Sequence, residues 1–137
     1  MMATLDTSIL VDALRRRSRF HQQAIHKLDD LHVRGERLAT TRFTVAELYV
    51  GLELSDNPSR DEAAVETLLG DLEILDFQDL SARVFARIRA EHRRAGRIAG
   101  DMDTLIAATS LAGGHGVLVT RNPSDFSGIA DLVVERY

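Results

Sequence analysis

The stretch that most limits the fold of this chain is Gly116-Val117-Leu118-Val119-Thr120, a short run that is apolar on both faces and opens on a glycine. Successive strand residues point to opposite faces, so such a run must be covered above and below, as in parallel sheets flanked by helices. The rest of the chain supplies the partners. Residues 3–5 read as a strand that runs through Asp6-Thr7-Ser8 into a helix carrying Ile9, Leu10, Val11, Ala13 and Leu14. Residues 20–34 form a second amphipathic helix with Ala24, Ile25, Leu28 and Leu31 on its stripe, ended by Gly35, and residues 37–41 a second strand. Helices are then predicted over residues 43–54, 59–69 and 80–94, with a third strand over 73–77. A helix entered through Asp101-Met102-Asp103 is broken by Gly113-Gly114, and a last strand spans 131–134.

This alternation predicts an α/β fold: an open, mostly parallel sheet of about five strands, helices on both faces and the first strand central. With 137 residues, 45% of them hydrophobic, the chain suffices for one core, and no linker or repeat divides it, so residues 1–137 are read as one domain. No cysteine is present, which excludes disulfides, thiolate catalysis and Cys-ligated metals. The net charge of -4 excludes a global positive field for nucleic acid, so any such contact must be local. No apolar run approaches the roughly 18 residues of a membrane span, and the N-terminus lacks a basic leader, so a soluble, cytoplasmic protein without membrane contact is expected.

The acids carry the chemical signal. Asp6 falls at the carboxyl end of the first strand, the side on which ligands bind in such sheets; as a helix N-cap it would need no function. Glu47 projects from a helix that is apolar nearly all round, where an ionised group is costly unless a cation compensates it, unless it reaches solvent over Gly51, or unless Arg42 pairs with it. Of Asp101 and Asp103, one suits the positive helix end, while Asp103 sits on the side of Ala107 and Ser110, beside an open depression. A central first strand would put Asp6 next to the Thr120-Arg121-Asn122 turn, so Asp6, Glu47, Asp103 and either Asp101 or Asp125 could converge. Acids so gathered repel one another unless a hard divalent ion joins them, and oxygen-only ligands point to Mg²⁺ or Mn²⁺. His21, His26 and His32 do not face one another and read as surface residues. Sixteen of the 17 basic residues are arginines, and Arg15-Arg16-Arg17 and Arg93-Arg94 with Arg97 form dense clusters. Each is either a solvated face or a guide for phosphates.

Four segments, Leu5-Asp6-Thr7-Ser8-Ile9-Leu10, Thr44-Val45-Ala46-Glu47-Leu48-Tyr49-Val50-Gly51, Asp103-Thr104-Leu105-Ile106-Ala107-Ala108 and Val119-Thr120-Arg121-Asn122-Pro123-Ser124-Asp125-Phe126, closely resemble the motifs of PIN-domain ribonucleases, specifically VapC-type toxins of type II toxin–antitoxin pairs. The resemblance runs from the first strand to the last. It implies a Mg²⁺-dependent endoribonuclease (Mn²⁺ serving as well) with Asp6, Glu47 and Asp103 as catalytic acids and metal ligands. The fourth acidic position falls on Asn122 or, three residues later, on Asp125. It further implies that Thr7 or Thr120 bonds a carboxylate or the scissile phosphate and that products carry 5′-phosphate and 3′-hydroxyl ends; Arg15, Arg16, Arg93 and Arg97, with Arg121 and Asn122 of the fourth segment, are the candidates for contacting RNA. A homodimer silenced by an antitoxin, whose helix lies against residues 8–14 and 43–54, completes the expectation. Two alternatives fit less well: a haloacid-type phosphohydrolase or receiver domain, which would need an Asp where Ser8 stands or a lysine better placed than Lys27, and a catalytically silent binding module, which has no reason to keep three costly acids.

Overall fold

The computed structural model describes residues 1–114 and 116–137. In chain order these form β1 (Met2–Leu5), α1 (Thr7–Leu14), α2 (His21–Val33), β2 (Arg37–Thr41), α3 (Arg42–Glu53), α4 (Pro58–Gly70), β3 (Glu73–Leu75), α5 (Asp79–Arg94), α6 (Asp101–Ala112), β4 (Val117–Thr120), a 3-10 turn (Pro123–Phe126) and β5 (Val133–Arg136). The sheet order is β3-β2-β1-β4-β5, with every pairing parallel, so β1 is central and all four of its residues are buried. An α/β domain with a five-stranded parallel sheet is the architecture the apolar fourth strand requires.

Consecutive residues of β4 feed opposite cores. Val119 packs with Leu5, Ile9, Leu10 and Leu31 beneath α1 and α2, whereas Leu118 packs with Ile88, Ile106 and Phe126 beneath α5 and α6. β1 divides likewise: Ala3 and Leu5 join the first core, and the Thr4 hydroxyl accepts a 2.8 Å bond from Ser110 on α6. Ala107 and Ala108, both fully buried, let α6 lie close to the sheet. The α2 helix ends as its glycine predicts. Gly35 takes φ 72, and the amides of Gly35 and Glu36 bond back to His32 and Leu31, a Schellman closure that turns the chain into β2.

Three expectations shift. The apolar character of α3 does not bury it all round: Thr44, Val45 and Leu48 face inward, while Tyr49, Val50 and the C-cap Leu54 are exposed, Leu54 at 81%. On α1 the opposite holds, since Ile9 and Leu10 are fully buried, so an exposed apolar surface is offered by α3 and not by residues 8–14. The last strand begins at Val133 rather than 131, because Asp131 adopts φ 66 in a turn that cannot continue a strand.

Candidate active site

The carboxyl ends of β1 and β4 are adjacent, and the acid site begins there. Leu5 pairs with Val119, and the Asp6 amide continues the ladder with a 3.0 Å bond to the Val119 carbonyl, so Asp6 is delivered at the mouth of the sheet. It occupies the N-cap position of α1, yet its carboxylate does not cap the helix. Instead Oδ2 accepts 2.8 Å from the Thr120 hydroxyl and 3.4 Å from Ser8, and Thr120 in turn accepts from the Asn122 amide at 3.1 Å. The helix-cap alternative for Asp6 therefore fails, and Thr120 holds a carboxylate.

Glu47 comes from the middle of α3, whose start is fixed by the Thr41 side chain accepting from the Thr44 amide. Its Oε1 accepts a 2.6 Å bond from Thr7, the residue after Asp6. Arg42 is not its partner, because that guanidinium pairs with Asp76 at 2.8 Å. Asp103 lies in the first turn of α6, behind the N-cap Gly100. A Cβ at Gly100 would stand 3.3 Å from the Asp103 carboxylate, so glycine leaves that side chain room to lie against the helix entrance. Asp125, in the 3-10 turn after β4, lines one cleft with Asp103.

The four acids act on one another. Burial raises the Asp103 carboxyl to about 6, and Asp125, Asp6 and Glu47 push it the same way. Burial also raises Asp6, against the bonds from Thr120, the Thr7 backbone and Ser8, with Asp125 adding repulsion. Among the described residues no three Asp, Glu or His side chains stand close enough to hold an ion as they are placed. As placed, hydroxyls donate to the acids instead: Thr7 to Glu47, and Thr120 and Ser8 to Asp6. The donor set nonetheless fits a hard divalent cation, being all oxygen, mutually repelling and without a pairing Lys or Arg on Asp6, Glu47 or Asp103 among the described ion pairs.

Other expected residues go elsewhere. Asp101 is exposed and pairs with Arg89, outside the cluster. The Asn122 side chain makes no cap bond on its turn and is exposed, so of the candidates for the fourth acidic position Asp125 is the acid that faces Asp103 and Asp6. Arg121 is not free for RNA: its guanidinium bonds Asp12 at 2.6 Å and stacks 4.2 Å over Phe20. Arg15, Arg16 and Arg17 are exposed beyond the far end of α1, about 12 Å along that helix from Asp6. Arg93 is exposed on the last turn of α5, and Arg97 lines the cleft of Asp103 and Asp125.

Two residues escaped the sequence reading. Asp12 is buried at 4% exposure and bonded by Arg121, by Tyr137 at 2.7 Å and by Ser18 at 2.8 Å. Its one sequence signal was an acid on the inward side of an apolar helix. His92, at 2% exposure, sits on α5 where an apolar residue would continue the stripe of Val84, Phe85 and Ile88.

A parallel α/β sheet whose carboxyl edge gathers uncompensated acids defines the class of protein, and the sequence model of the PIN domain matches residues 3–132. The chain belongs to the PIN-domain family, in its VapC branch. It is 35% identical to Ribonuclease VapC2 of Haemophilus influenzae, over 97% of this chain and 96% of that one. It is 34% identical to the tRNA(fMet)-specific endonuclease VapC of Salmonella typhimurium, over 80% and 83%. The crystal structure of VapBC2 from Rickettsia felis bound to a DNA fragment from their promoter matches with a TM-score of 0.86 at 28% identity, covering 100% of this chain and 99% of that one.

Proposed function

We propose that this protein is a metal-dependent endoribonuclease and the toxin of a toxin–antitoxin pair, acting in the cytoplasm. The observation that carries the reading is the delivery of Asp6, Asp103 and Asp125, none of them paired with a cation among the described residues, to the carboxyl edge of a PIN-domain sheet. Relatives named as ribonuclease and endonuclease VapC, covering most of this chain, support the same chemistry.

Asp6, Asp103 and Asp125 would hold Mg²⁺ or Mn²⁺, with Glu47 beside them. When bound, such an ion polarises a phosphodiester and lowers the pKa of water, so that hydrolysis proceeds at neutral pH. The chain's own groups do the positioning. Thr120 and Ser8 fix the rotation of Asp6, and Thr7 holds Glu47 where it can accept a proton from the attacking water. Arg97, beside Asp103, holds the RNA backbone and takes no part in the bond that breaks. Attack by water rather than by the ribose 2′-hydroxyl leaves a 5′-phosphate and a 3′-hydroxyl. The exposed face of Tyr49 and Val50 on α3, with Leu54 at its C-cap, would receive an apolar helix of the antitoxin, as befits a relative crystallised as a VapBC complex. A homodimer is part of the same proposal.

The test is purified protein with total RNA, with Mg²⁺ or with EDTA, read by sequencing new 5′ ends. The wild type should cut only with metal, and Asp6→Ala and Asp103→Ala should be inert. Undiminished cutting by either variant, or cutting in EDTA, overturns the reading.

A further inference from the structure

His92 is 2% exposed, and neither of its ring nitrogens has a hydrogen-bond partner. Among the described residues the only other such buried side-chain atom is Glu36 Oε2, and that oxygen has the N-terminal ammonium 4.0 Å away. A leucine would fill the position without that cost, so the imidazole calls for a partner from outside the chain. His92 lines a cleft of about 210 Å³ together with Arg97, Asp103, Ser124, Asp125 and Ser127.

The local fold brings Arg97 and His92 to the same cleft. α5 ends in a Schellman closure in which Gly96 takes φ 68, its amide bonds the Arg93 carbonyl, and the Arg97 amide bonds the His92 carbonyl at 2.8 Å. The guanidinium then lies flat on Gly128, where a Cβ would meet three of its atoms at 2.9 Å, and donates to Ser127 Oγ at 3.4 Å. Arg83, Arg87 and Arg89 of α5 are paired with Asp79, Asp131 and Asp101, whereas Arg97 is in no ion pair among the described residues.

We propose that this cleft is the subsite for a phosphate of the RNA chain next to the one that is cut, with Arg97 and His92 as its donors. The proposal rests on the nuclease reading above. Once Asp103 and Asp125 are neutralised by a divalent ion, the charge left on the wall is that of Arg97, and a planar guanidinium beside serine hydroxyls suits phosphate oxygens. A nucleobase is the poorer occupant, because no Phe, Tyr or Trp lines the cleft to stack on it.

The experiment has a binding arm and a kinetic arm. In the first, ¹⁵N-histidine-labelled protein with Mg²⁺ receives inorganic phosphate, adenosine 5′-monophosphate or adenosine, and the His92 signal is assigned as the one missing in His92→Leu. Phosphate and the nucleotide should shift the His92 ring nitrogens while adenosine leaves them in place; no shift, or an equal shift with adenosine, overturns the proposal. In the second, His92→Leu and Arg97→Gln should each raise KM for RNA roughly tenfold, with a much smaller change in kcat. His92→Leu should melt no lower than wild type, because it removes an unpartnered polar group. An unchanged KM in both variants overturns the subsite and leaves the nuclease reading standing. A wild type that cuts no RNA with any divalent ion overturns the nuclease reading, and the binding arm still decides whether the cleft takes phosphate.

Discussion

Thr120 and Arg121 are neighbours at the end of β4, and each reaches a buried acid on the first helix or its cap. Thr120 gives Asp6 a hydroxyl, and Arg121 gives Asp12 a guanidinium. The two acids are almost equally hidden, at 7% and 4% exposure, so burial does not tell them apart. The difference lies in what neutralises them. Asp12 has a cation, a phenol and a serine from its own chain. Asp6 has hydroxyls on one side and Asp125 and Asp103 on the other. An acid that the fold has already paired is scaffolding, and one that the fold leaves among other acids awaits a cation from solution.

The largest effect that would break this comparison comes from neutralising each acid in turn. Asp6→Asn should cut RNA at least ~10³ times more slowly, since it removes a proposed metal ligand, while melting no lower than wild type in EDTA. Asp12→Asn should instead lose ~3–5 kcal/mol of stability by leaving Arg121 half-buried without its partner, a drop of about 10–20 °C in Tm for a domain of this size. Its residual activity should follow the folded fraction. An Asp12→Asn protein that melts normally yet fails to cut would place Asp12 in the chemistry and erase the distinction.

Much of this arrangement is legible in residue order. The apolar run of β4 demands helices on both faces, and strand-turn-helix patterning puts Asp6 and Thr120 at neighbouring strand ends. The partners were not legible, because they are set by long-range packing. Asp12 meets Arg121 across 109 positions and Tyr137 across 125, and no local spacing encodes either meeting. Periodicity misled on α3 for a related reason: it finds two apolar sides but not which one finds a core, so Glu47 seemed enclosed where Val50 and Leu54 are open. His92 sat in plain view on the α5 stripe, and only the folded chain, turned back at Gly96, shows that it shares a cleft with Arg97, Asp103 and Asp125.

A smaller effect sharpens the comparison through pH. Asp103 has a folded pKa of about 6 against an ordinary 3.8, so between these values the folded state binds more protons than the unfolded one. Metal-free stability should therefore fall as pH rises through that window and level off above about 6, by ~1–2 kcal/mol once solvent screening of a half-buried group is allowed for. Thermal melts in EDTA from pH 4.5 to 7.5 should show the decline in wild type and little of it in Asp103→Asn. Saturating Mg²⁺ should raise Tm most above pH 6, where the ion no longer competes with a proton. A wild type and Asp103→Asn with parallel pH profiles in EDTA would mean that the acids do not repel as their placement requires.

The mildest test is Tyr137→Phe. The phenol donates to Asp12 at 2.7 Å, and burial, together with Asp12, holds its proton on well above the usual range. Removing it leaves Asp12 with Arg121 and Ser18, so the loss should be that of one hydrogen bond to a charged acceptor, ~1.5–3 kcal/mol, seen as a lower Tm with kcat unchanged. The scaffold and the site share a thread through Ser8, which accepts at 3.1 Å from the Arg121 amide, interacts with Tyr137 and in turn bonds Asp6. If Tyr137→Phe lowers kcat while Tm holds, that thread transmits the position of Arg121 to Asp6, and the paired acid then belongs to the machinery that aims the unpaired one.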